Sequence, residues 1–277
     1  MNQLPFELCG RIFVSAGWWM ANGVVCSPRS VCCEWKDCMD SPATLAPALA
    51  AMHGSQKAAW KCVRSDEHAA VVRRLLDDSD VDWTLKDVDG YTALGLATMH
   101  GCDRVVKHLL ADGRIDPDQP NVRGGRTALH LAAEKQRDRI MRALLAGGAR
   151  VDARDEFERT PLHLARNAFT AKILLDHGAH ANARDKDGRT PLHEATNVNG
   201  EGAFMAKLML EHGAEVDARD TREQTPLHMA TDPFVAKIML DHGAPVDACD
   251  HCMCTTLHLA VTGAAYTRGQ IIMGHHI

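Results

Sequence analysis

Apolar residues recur along most of the chain in short stripes, and a glycine and a polar turn follow each stripe. The stripes read RVVKHLL, RIMRALL, TAKILL, MAKLML and VAKIML. Apolar positions spaced three and four residues apart place their side chains on one face of a helix. A shorter apolar segment of the form T-x-L precedes each stripe. One unit is therefore predicted to be two helices and a turn.

The short segments return at nearly constant intervals. Aligned on their threonine, they begin at Thr92, Thr127, Thr160, Thr190, Thr225 and Thr255, at intervals of 35, 33, 30, 35 and 30 residues. A threonine hydroxyl suits a helix N-cap, and in three copies proline follows at the first helical position, where a missing N–H costs nothing. A left-handed glycine is expected to end each second helix. The predicted glycines are Gly147, Gly178, Gly213 and Gly243.

The pattern resembles the ankyrin repeat, which has a period of roughly 33 residues and the signature T-P-L-H-x-A. The resemblance covers about Trp60 to Ala260. It implies an all-α solenoid of helix-turn-helix units with hairpin loops over residues 56–277, in about six to seven units. The first unit, with Ala58 to Lys61 in the T-P-L-H slot, is degenerate, as a capping repeat would be. The last unit is predicted to be incomplete.

Composition and charge narrow the function classes. The net charge of -5 argues against a nucleic-acid partner, since neutralising phosphates needs a surplus of Lys and Arg. The longest apolar run, Ile12 to Val25, is shorter than the roughly 20 residues of a membrane span, so no membrane partner is expected. The 10 cysteines fall in two clusters plus singles, out of register with the repeat. Reduced thiols in the cytoplasm or nucleus are therefore expected.

The 16 histidines suggest catalytic or metal chemistry until they are placed in the repeat. Half of them occupy either the fourth motif position or the position before the helix-ending glycine. These are His130, His163, His193, His228, His258, His177, His212 and His242. The resemblance implies that a motif histidine hydrogen-bonds the backbone of its turn and of the next unit. The recurring aspartates fall in turns, where their side chains accept backbone N–H groups.

Signatures of catalysis are missing from the sequence. It contains no G-x-S-x-G, no H-E-x-x-H, no phosphate-binding G-x-x-x-x-G-K-[ST] and no dinucleotide-binding G-x-G-x-x-G motif. We therefore expect no enzyme activity and no cofactor.

One cysteine cluster competes with this interpretation. The segment CDHCMC, from Cys249 to Cys254, has the C-x-x-C spacing of zinc and redox sites, and His258 follows it. No second ligand pair follows at the separation that zinc sites usually have. We predict no metal site, with Cys249, Cys252 and Cys254 as weak candidates. The segment is instead predicted to be a cysteine-rich hairpin tip.

The residues between each turn aspartate and the next motif threonine differ from unit to unit: VDGY, VRGGR, EFER, KDGR, TREQ and HCMC. The ankyrin resemblance implies that hairpin tips and inner helices form one concave face that binds a target protein. The alternative is that exposed tips vary because nothing constrains them. Glu158 and Glu223 replace a glycine common at this position and are predicted to stiffen or distort their tips. The predicted face residues are Tyr91, Arg126, Glu134, Lys135, Phe157, Arg159, Arg189 and Gln224.

Residues 1–40 lack the repeat and resemble an F-box, a helical segment whose pattern begins LP-x-E-L and closes with V-C-x-x-W-[KR]. The matching residues are Leu4, Pro5, Glu7, Leu8, Ile12, Phe13, Val31, Cys32, Trp35 and Lys36. The gap from Leu4 to Trp35 is longer than usual, and SAGWWMANG replaces the leucine-rich middle helix. Alternatives are a cap on the first repeat, or a zinc knuckle of Cys26, Cys32, Cys33 and Cys38.

Together, the two resemblances imply an adaptor. Residues 1–40 would dock on a Skp-type adaptor of a cullin ubiquitin ligase, residues 41–55 would be a linker, and the ankyrin face would hold a target at high effective concentration. The implied docking residues are Leu4, Pro5, Leu8, Ile12, Phe13, Val31, Cys32 and Trp35. Such combinations occur in giant DNA viruses and intracellular bacteria as well as eukaryotes, so action in a host cell is one expectation. The competing function is a plain ankyrin scaffold or inhibitor with no ubiquitin link.

Overall fold

The computed structural model describes residues 19–21, 24–26, 55–77, 81–121, 124–196, 198 and 200–256. The chain divides into two compact units. Unit 1 comprises Met1–Val88 with Thr92–Ile115, and unit 2 comprises Asp89–Tyr91 with Asp116–Ile277. The predicted F-box-like docking residues, Leu4 to Phe13 and Val31 to Trp35, lie outside the described residues, as do most of the predicted linker and the end of the last repeat.

A short hairpin lies within the segment predicted to be helical. Strands β1 (Trp19–Ala21) and β2 (Val24–Cys26) pair antiparallel, with Met20 opposite Val25. Between them the sequence reads Asn-Gly, the pair most typical of a two-residue hairpin turn, and the flanking aromatic and β-branched residues favour strands. The prediction of a purely helical segment over residues 1–40 is therefore wrong at these two strands.

Unit 1 continues with pairs of helices. They are α1 (Ser55–Cys62), a 3₁₀ turn (Asp66–His68), α2 (Ala69–Leu76), α3 (Ala93–His100) and α4 (Asp103–Ala111). Helix α1 begins at Ser55, so the last residue of the predicted linker is helical. Asp66 accepts hydrogen bonds from the backbone N–H groups of Arg104 and Val105 and thereby caps α4. Val72, Val105, Val106 and Leu109 are fully buried and form the core.

Unit 2 repeats the same pairing. Its inner elements are α5 (Ala128–Glu134), a 3₁₀ turn (Pro161–Leu164), α8 (Pro191–Ala195) and α10 (Pro226–Met229). Its outer helices are α6 (Asp138–Ala146), α7 (Ala168–Asp176), α9 (Gly202–Glu211) and α11 (Pro233–Asp241). Successive inner elements contact each other, as do successive outer helices, so the unit has two layers. In the part of the chain that the structure describes, no helix is long and apolar enough to cross a bilayer.

The core of unit 2 lies between its two layers. The apolar side chains that are fully buried there include Leu129, Leu144, Leu162, Leu174, Leu192, Met205, Met209 and Met239. The predicted caps are confirmed, because each inner element begins with a reciprocal capping box between the motif threonine and histidine. In the two 30-residue copies the inner element is reduced to a single turn, whereas the outer helix keeps 9 residues.

Left-handed glycines end the outer helices, with one change from the prediction. Gly178, Gly213 and Gly243 have φ of 85°, 82° and 85°, as expected. Gly147 has φ of -81°, and the left-handed residue is Gly148, with φ of 87°. The prediction for Gly147 is therefore wrong by one residue, because two adjacent glycines were available and only the second is in the position of the other helix-ending glycines.

Candidate protein interaction face

Four hairpin tips of unit 2 are each built around one aspartate. Asp155 Oδ1 accepts the backbone N–H groups of Phe157 and Arg159 at 2.9 and 3.0 Å. Asp185, Asp220 and Asp250 each accept two N–H groups in the same way. The prediction that the recurring aspartates shape turns is confirmed at Asp185, Asp220 and Asp250, where Oδ1 makes both turn bonds.

Neighbouring tips are hydrogen-bonded to each other. The N–H of Lys186 donates to the carbonyl of Phe157 at 3.0 Å, and the N–H of Thr221 donates to the carbonyl of Asp187 at 2.9 Å. The same backbone hydrogen bond also links the neighbouring tips at both ends of this row of tips. We call the resulting strip the tip face. It comprises residues 124–126, 155–159, 185–189, 220–224 and 250–254.

Three tips place a residue other than glycine in the left-handed region. Glu158, Glu223 and Met253 have φ of 60°, 59° and 60° where Gly188 has 74°. Glu158 N–H still donates to the Asp155 carbonyl at 2.9 Å, as Gly188 does to Asp185. The prediction that Glu158 and Glu223 distort their tips is therefore wrong. The turn is kept, at a strain of about 1–2 kcal/mol per residue.

The motif histidines join one unit to the next. His193 Nδ1 accepts the backbone N–H of Thr190 at 3.1 Å, and its Nε2 lies 3.1 Å from the carbonyl oxygen of Gln224 in the next tip. Because a carbonyl oxygen only accepts hydrogen bonds, Nε2 must carry a proton. Nδ1 accepts a hydrogen bond and so carries none, which makes the ring neutral. His130, His163 and His228 make the same pair of contacts. The predicted structural role is confirmed for these four residues.

Burial keeps the imidazoles of His130, His163 and His193 neutral. Desolvation lowers the pKa of His193 to about 4, although the hydrogen bond to Gln224 works in the opposite direction. The pKa of His130 and of His163 is lowered for the same reason. A buried base with a lowered pKa is often catalytic, but here both ring nitrogens are engaged by backbone groups. No reacting atom can approach them without breaking the repeat.

The histidines before the helix-ending glycines are also structural. Nδ1 of His177, His212 and His242 lies 2.8 to 2.9 Å from the carbonyl oxygen four residues earlier. Each imidazole therefore donates a second hydrogen bond to a carbonyl in the last turn of an outer helix, which already accepts the backbone N–H of the same histidine. His258 lies outside the described residues.

Three predicted face residues meet at the first described tip of unit 2. Arg126 Nη1 lies 2.6 Å from Glu134 Oε2, and Lys135 Nζ lies 3.9 Å from Glu134 Oε1. Arg126 Nε also lies 3.7 Å from the carboxylate of Asp155 in the next tip. The arginine is therefore held between two acids and is partly buried. Lys135 is the more exposed of the two cations.

Phe157 and Arg159 form the most structured part of the tip face. The buried carboxylate of Asp155 receives Arg159 Nη2 at 2.8 Å and Nε at 3.0 Å. Burial alone would raise the pKa of Asp155, but these bonds and two backbone N–H groups lower it below its ordinary value. The fixed guanidinium lies 4.7 Å from the centre of the Phe157 ring. Phe157 is 53% exposed.

Two other predicted face residues contribute mainly to packing. Arg189 Nη1 lies 3.5 Å from Glu194, and its Nε lies 3.7 Å from Asp220, too far for a hydrogen bond. Gln224 is 4% exposed. The prediction that Gln224 lies on the exposed face is wrong, because its backbone groups bind His193 and Asp220 and draw the residue inward. Tyr91 is half-buried.

Comparison with known families settles the nature of the repeat. A three-copy model of ankyrin repeats matches residues 59–155 and 140–220, and a single ankyrin repeat matches residues 222–251. The matched residues make up well over half of the chain. The chain belongs to the ankyrin repeat family.

A solved structure supports the same ankyrin fold. The chain is similar to the crystal structure of the ankyrin repeat domain of Bcl-3, described as a unique member of the IkappaB protein family. The two share 29% sequence identity and a TM-score of 0.63, over 73% of this chain and 92% of that one. Ankyrin repeats of this kind are typically non-enzymatic scaffolds for protein–protein interaction.

The ankyrin repeats also expose side chains that the sequence analysis missed. Met253 is 77% exposed on the tip face. Phe169, Phe204 and Phe234 are 50%, 67% and 72% exposed on three successive outer helices. The signal was present as FTAK, FMAK and FVAK, but the phenylalanine stands just before the apolar stripes by which the repeats were aligned.

The cysteine cluster forms the last described ankyrin tip. Cys249 pairs with Thr255 in an isolated bridge, and its Sγ lies 3.7 Å from the Asp247 carbonyl. Cys254 Sγ lies 3.8 Å from the carbonyl of Cys252. All three thiols are free. Among the described residues, no three histidine, cysteine or acidic side chains are arranged to hold a metal ion.

Proposed function

We propose that this ankyrin chain binds a target protein on its tip face and has no bond-making chemistry of its own. The observation that carries the proposal is the Asp155, Arg159 and Phe157 arrangement. A buried carboxylate fixes a guanidinium, and the guanidinium supports a half-exposed aromatic ring. Aromatic side chains held in place in this way are typical anchors of protein interfaces.

The tip face is also ordered before any partner arrives. Its backbone is cross-linked by the hydrogen bonds between neighbouring tips, and motif histidines tie four of its five tips to the element behind them. Loops that are already ordered lose less conformational entropy on binding. The variable side chains are therefore presented on a constant frame.

The charges around Phe157 indicate the kind of target. Glu156 is exposed beside it, Lys186 and Asp187 are exposed on the next tip, and Arg222 is exposed on the one after. Both signs alternate along the strip, and this arrangement does not favour a polyanion such as nucleic acid. We expect a protein surface with an apolar pocket for Phe157 and charged groups of both signs around it.

Paired variants test the tip face. The tip variant combines Phe157→Ala with Glu156→Ala. The control combines Val246→Ala with Glu215→Ala, which also removes one apolar side chain, 53% exposed like Phe157, and one exposed carboxylate, but away from the tips. Each variant serves as bait in cells that express the protein. A target retained by wild type and control but lost with the tip variant supports the proposal, and equal retention by all three contradicts it.

The F-box-like residues at the N-terminus indicate a second binding partner. We propose that the F-box-like residues dock on a Skp-type adaptor, so that the ankyrin target is held near a cullin ubiquitin ligase in the cytoplasm or nucleus, including that of a host cell. The support is the sequence match that begins at Leu4 and Pro5 and ends at Trp35 and Lys36. The alternative is a plain scaffold or inhibitor with no ubiquitin link.

A pull-down separates these two functions. Purified wild-type protein, a Leu4→Ala, Pro5→Ala, Ile12→Ala triple variant, and a chain that begins at Met52 are compared for binding to a Skp-type adaptor. Binding that is lost in both altered chains supports the ligase adaptor. No binding by the wild type leaves the plain ankyrin scaffold.

A further inference from the structure

Three phenylalanines form an exposed row on the outer helices of unit 2. Phe169 on α7, Phe204 on α9 and Phe234 on α11 occupy the same position in consecutive repeats, and each is at least half exposed. Single exposed apolar residues are common on protein surfaces. Three at one repeated position on helices that pack side by side form a row of exposed aromatic rings, and a cluster of exposed apolar groups is a mark of a binding surface.

A row of cations runs beside the phenylalanines. Lys172, Lys207 and Lys237 each follow a phenylalanine by three residues, which places them one turn further along the same helix face. Arg142 has the equivalent position on α6, and its guanidinium lies 5.3 Å from the centre of the Phe169 ring. All four cations are exposed. The ridge of Phe169, Phe204 and Phe234 with these cations is here called the outer ridge.

The outer ridge contains an open groove that a partner can occupy. Between α7 and α9 the groove has a volume of about 480 Å³, and Phe169, Lys172, Phe204, Lys207 and Leu208 are among its lining residues. Lys207 Nζ lies 3.8 Å from Glu211, and both side chains are more than half exposed. An exposed pair of this kind contributes little, so the lysine is available to a partner carboxylate.

The interval between the phenylalanines of the outer ridge indicates which secondary structure of a partner fits across it. Packed helices are 8–10 Å apart, so equivalent phenylalanines recur at roughly that interval. On a helix, residues seven apart lie on one face and are separated by about 10.5 Å. On a strand, residues that share a face are separated by about 7 or 13 Å, which is further from the middle of that interval. A helix with an apolar heptad therefore fits across the outer helices.

We propose that the outer ridge is a second protein-binding surface, and that its occupant is an amphipathic helix of a partner protein. The partner helix would place apolar residues seven apart against Phe169, Phe204 and Phe234, and carboxylates along one flank against Lys172, Lys207 and Lys237. This surface is independent of the tip face, so either one can bind when the other does not.

The outer ridge is a poorer match for an anionic lipid surface. Asp176, Glu211 and Asp241 follow the lysines by four residues, so a row of carboxylates borders the row of cations. All three are exposed. A lipid surface would face both rows at once and gain little net attraction, whereas a narrow helix with one acidic flank can address the cations alone.

A designed peptide tests the outer ridge on the full-length chain. The probe is a helix of roughly 21 residues, long enough to cross three helices, with leucines seven apart and glutamates on one flank. Its affinity is measured by fluorescence anisotropy for wild type, for Phe204→Ala with Phe234→Ala, and for Lys172→Glu with Lys207→Glu. Because the substituted side chains are exposed, the variants should keep the thermal stability of the wild type. Val246→Ala is the control.

We expect the two phenylalanine substitutions to weaken peptide binding at least about tenfold, with Val246→Ala and Phe157→Ala near wild type. The lysine reversal should weaken binding to the same peptide, and a version with lysines on the flank should bind the reversed protein instead. The proposal is overturned if the wild type does not bind, or if a peptide with scrambled leucines binds equally. It is also overturned if phosphatidylserine vesicles or a second copy of the chain engage the phenylalanines in place of the peptide.

Discussion

His193 Nε2 lies 3.1 Å from the carbonyl oxygen of Gln224, the last residue of the next tip. The other ring nitrogen accepts the N–H of Thr190, so one neutral imidazole joins its own helix cap to the neighbouring unit. The contact recurs in four successive repeats of unit 2. The order of the tip face therefore depends on the protonation of the buried motif imidazoles.

Acid should therefore destabilise unit 2 before its carboxylates titrate. The folded pKa of His193 is about 4 and the ordinary value is 6.5, so between these values the unfolded chain binds a proton that the folded chain does not. The stabilisation is complete above pH 6.5 and is lost as the pH falls towards 4. For His193 alone, on the order of 2 kcal/mol should be lost between pH 7.5 and pH 5. Urea unfolding at both values measures it. An unfolding free energy that stays constant over this range contradicts the buried neutral histidine.

Two tip aspartates should respond in opposite ways to the same substitution. Asp155→Asn removes the carboxylate that Arg159 binds at 2.8 and 3.0 Å, and should cost on the order of 2 kcal/mol or more. Asp185 is different because burial raises its pKa above the ordinary value. At neutral pH its charge is unfavourable, and Asp185→Asn should be neutral or stabilising. Urea unfolding of both variants at pH 7 measures the two changes in the free energy of unfolding. Equal losses would contradict the claim that Arg159 makes the charge of Asp155 more favourable than that of Asp185.

The left-handed tip position gives a reciprocal pair of variants. Gly188→Ala should destabilise by about 1–2 kcal/mol, because φ is 74° and the new Cβ would lie 3.1 Å from the backbone nitrogen of Thr221. Glu158→Gly should release similar strain, with a net gain of up to about 1 kcal/mol after the entropy of glycine in the unfolded chain is counted. Thermal unfolding of the two variants measures both signs. A stabilising Gly188→Ala would contradict the strained tip geometry.

Close packing of α8 against α9 rests on one glycine. A Cβ at Gly202 would lie 2.8 Å from the carbonyl oxygen of Ala195, so Gly202→Ala should force the helices apart and destabilise by about 1–3 kcal/mol. Gly113→Ala is the control, since a Cβ there meets no atom within 4 Å and φ is not positive. Calorimetry compares the two variants. Equal stability would mean that α9 can shift without loss of packing.

The repeat made most of the fold predictable. Thr127, Thr160, Thr190 and Thr225 were placed at helix caps because a hydroxyl before a proline or alanine has a local reason to be there, and the structure confirms it. Local chemistry also explains why the turn aspartates were correctly interpreted. The hairpin of β1 and β2 has a local signal, Asn-Gly between β-branched and aromatic residues, but the helical expectation for residues 1–40 rests on the F-box resemblance and not on these residues.

The candidate site was less predictable, because exposure depends on tertiary packing. Gln224 occupies a variable tip position yet is buried by its contacts with His193 and Asp220. Phe157 is predicted as a face residue from its position at a tip alone, and its contact with Arg159 is a feature that no sequence pattern contains. The outer ridge is not predicted by the sequence. A phenylalanine next to an apolar stripe cannot be told apart from a core residue until the orientation of its helix is known.

Site-specific photocrosslinking tests the central claim most directly. A photoreactive phenylalanine analogue is placed at position 157 on the tip face or at position 246 away from it, where the natural side chains are equally exposed, and the protein is irradiated in cells that express it. If the chain is a protein-binding module that uses its tip face, position 157 should give a discrete crosslinked protein and position 246 should not. The same crosslinks from both positions, or none from position 157, would contradict the claim.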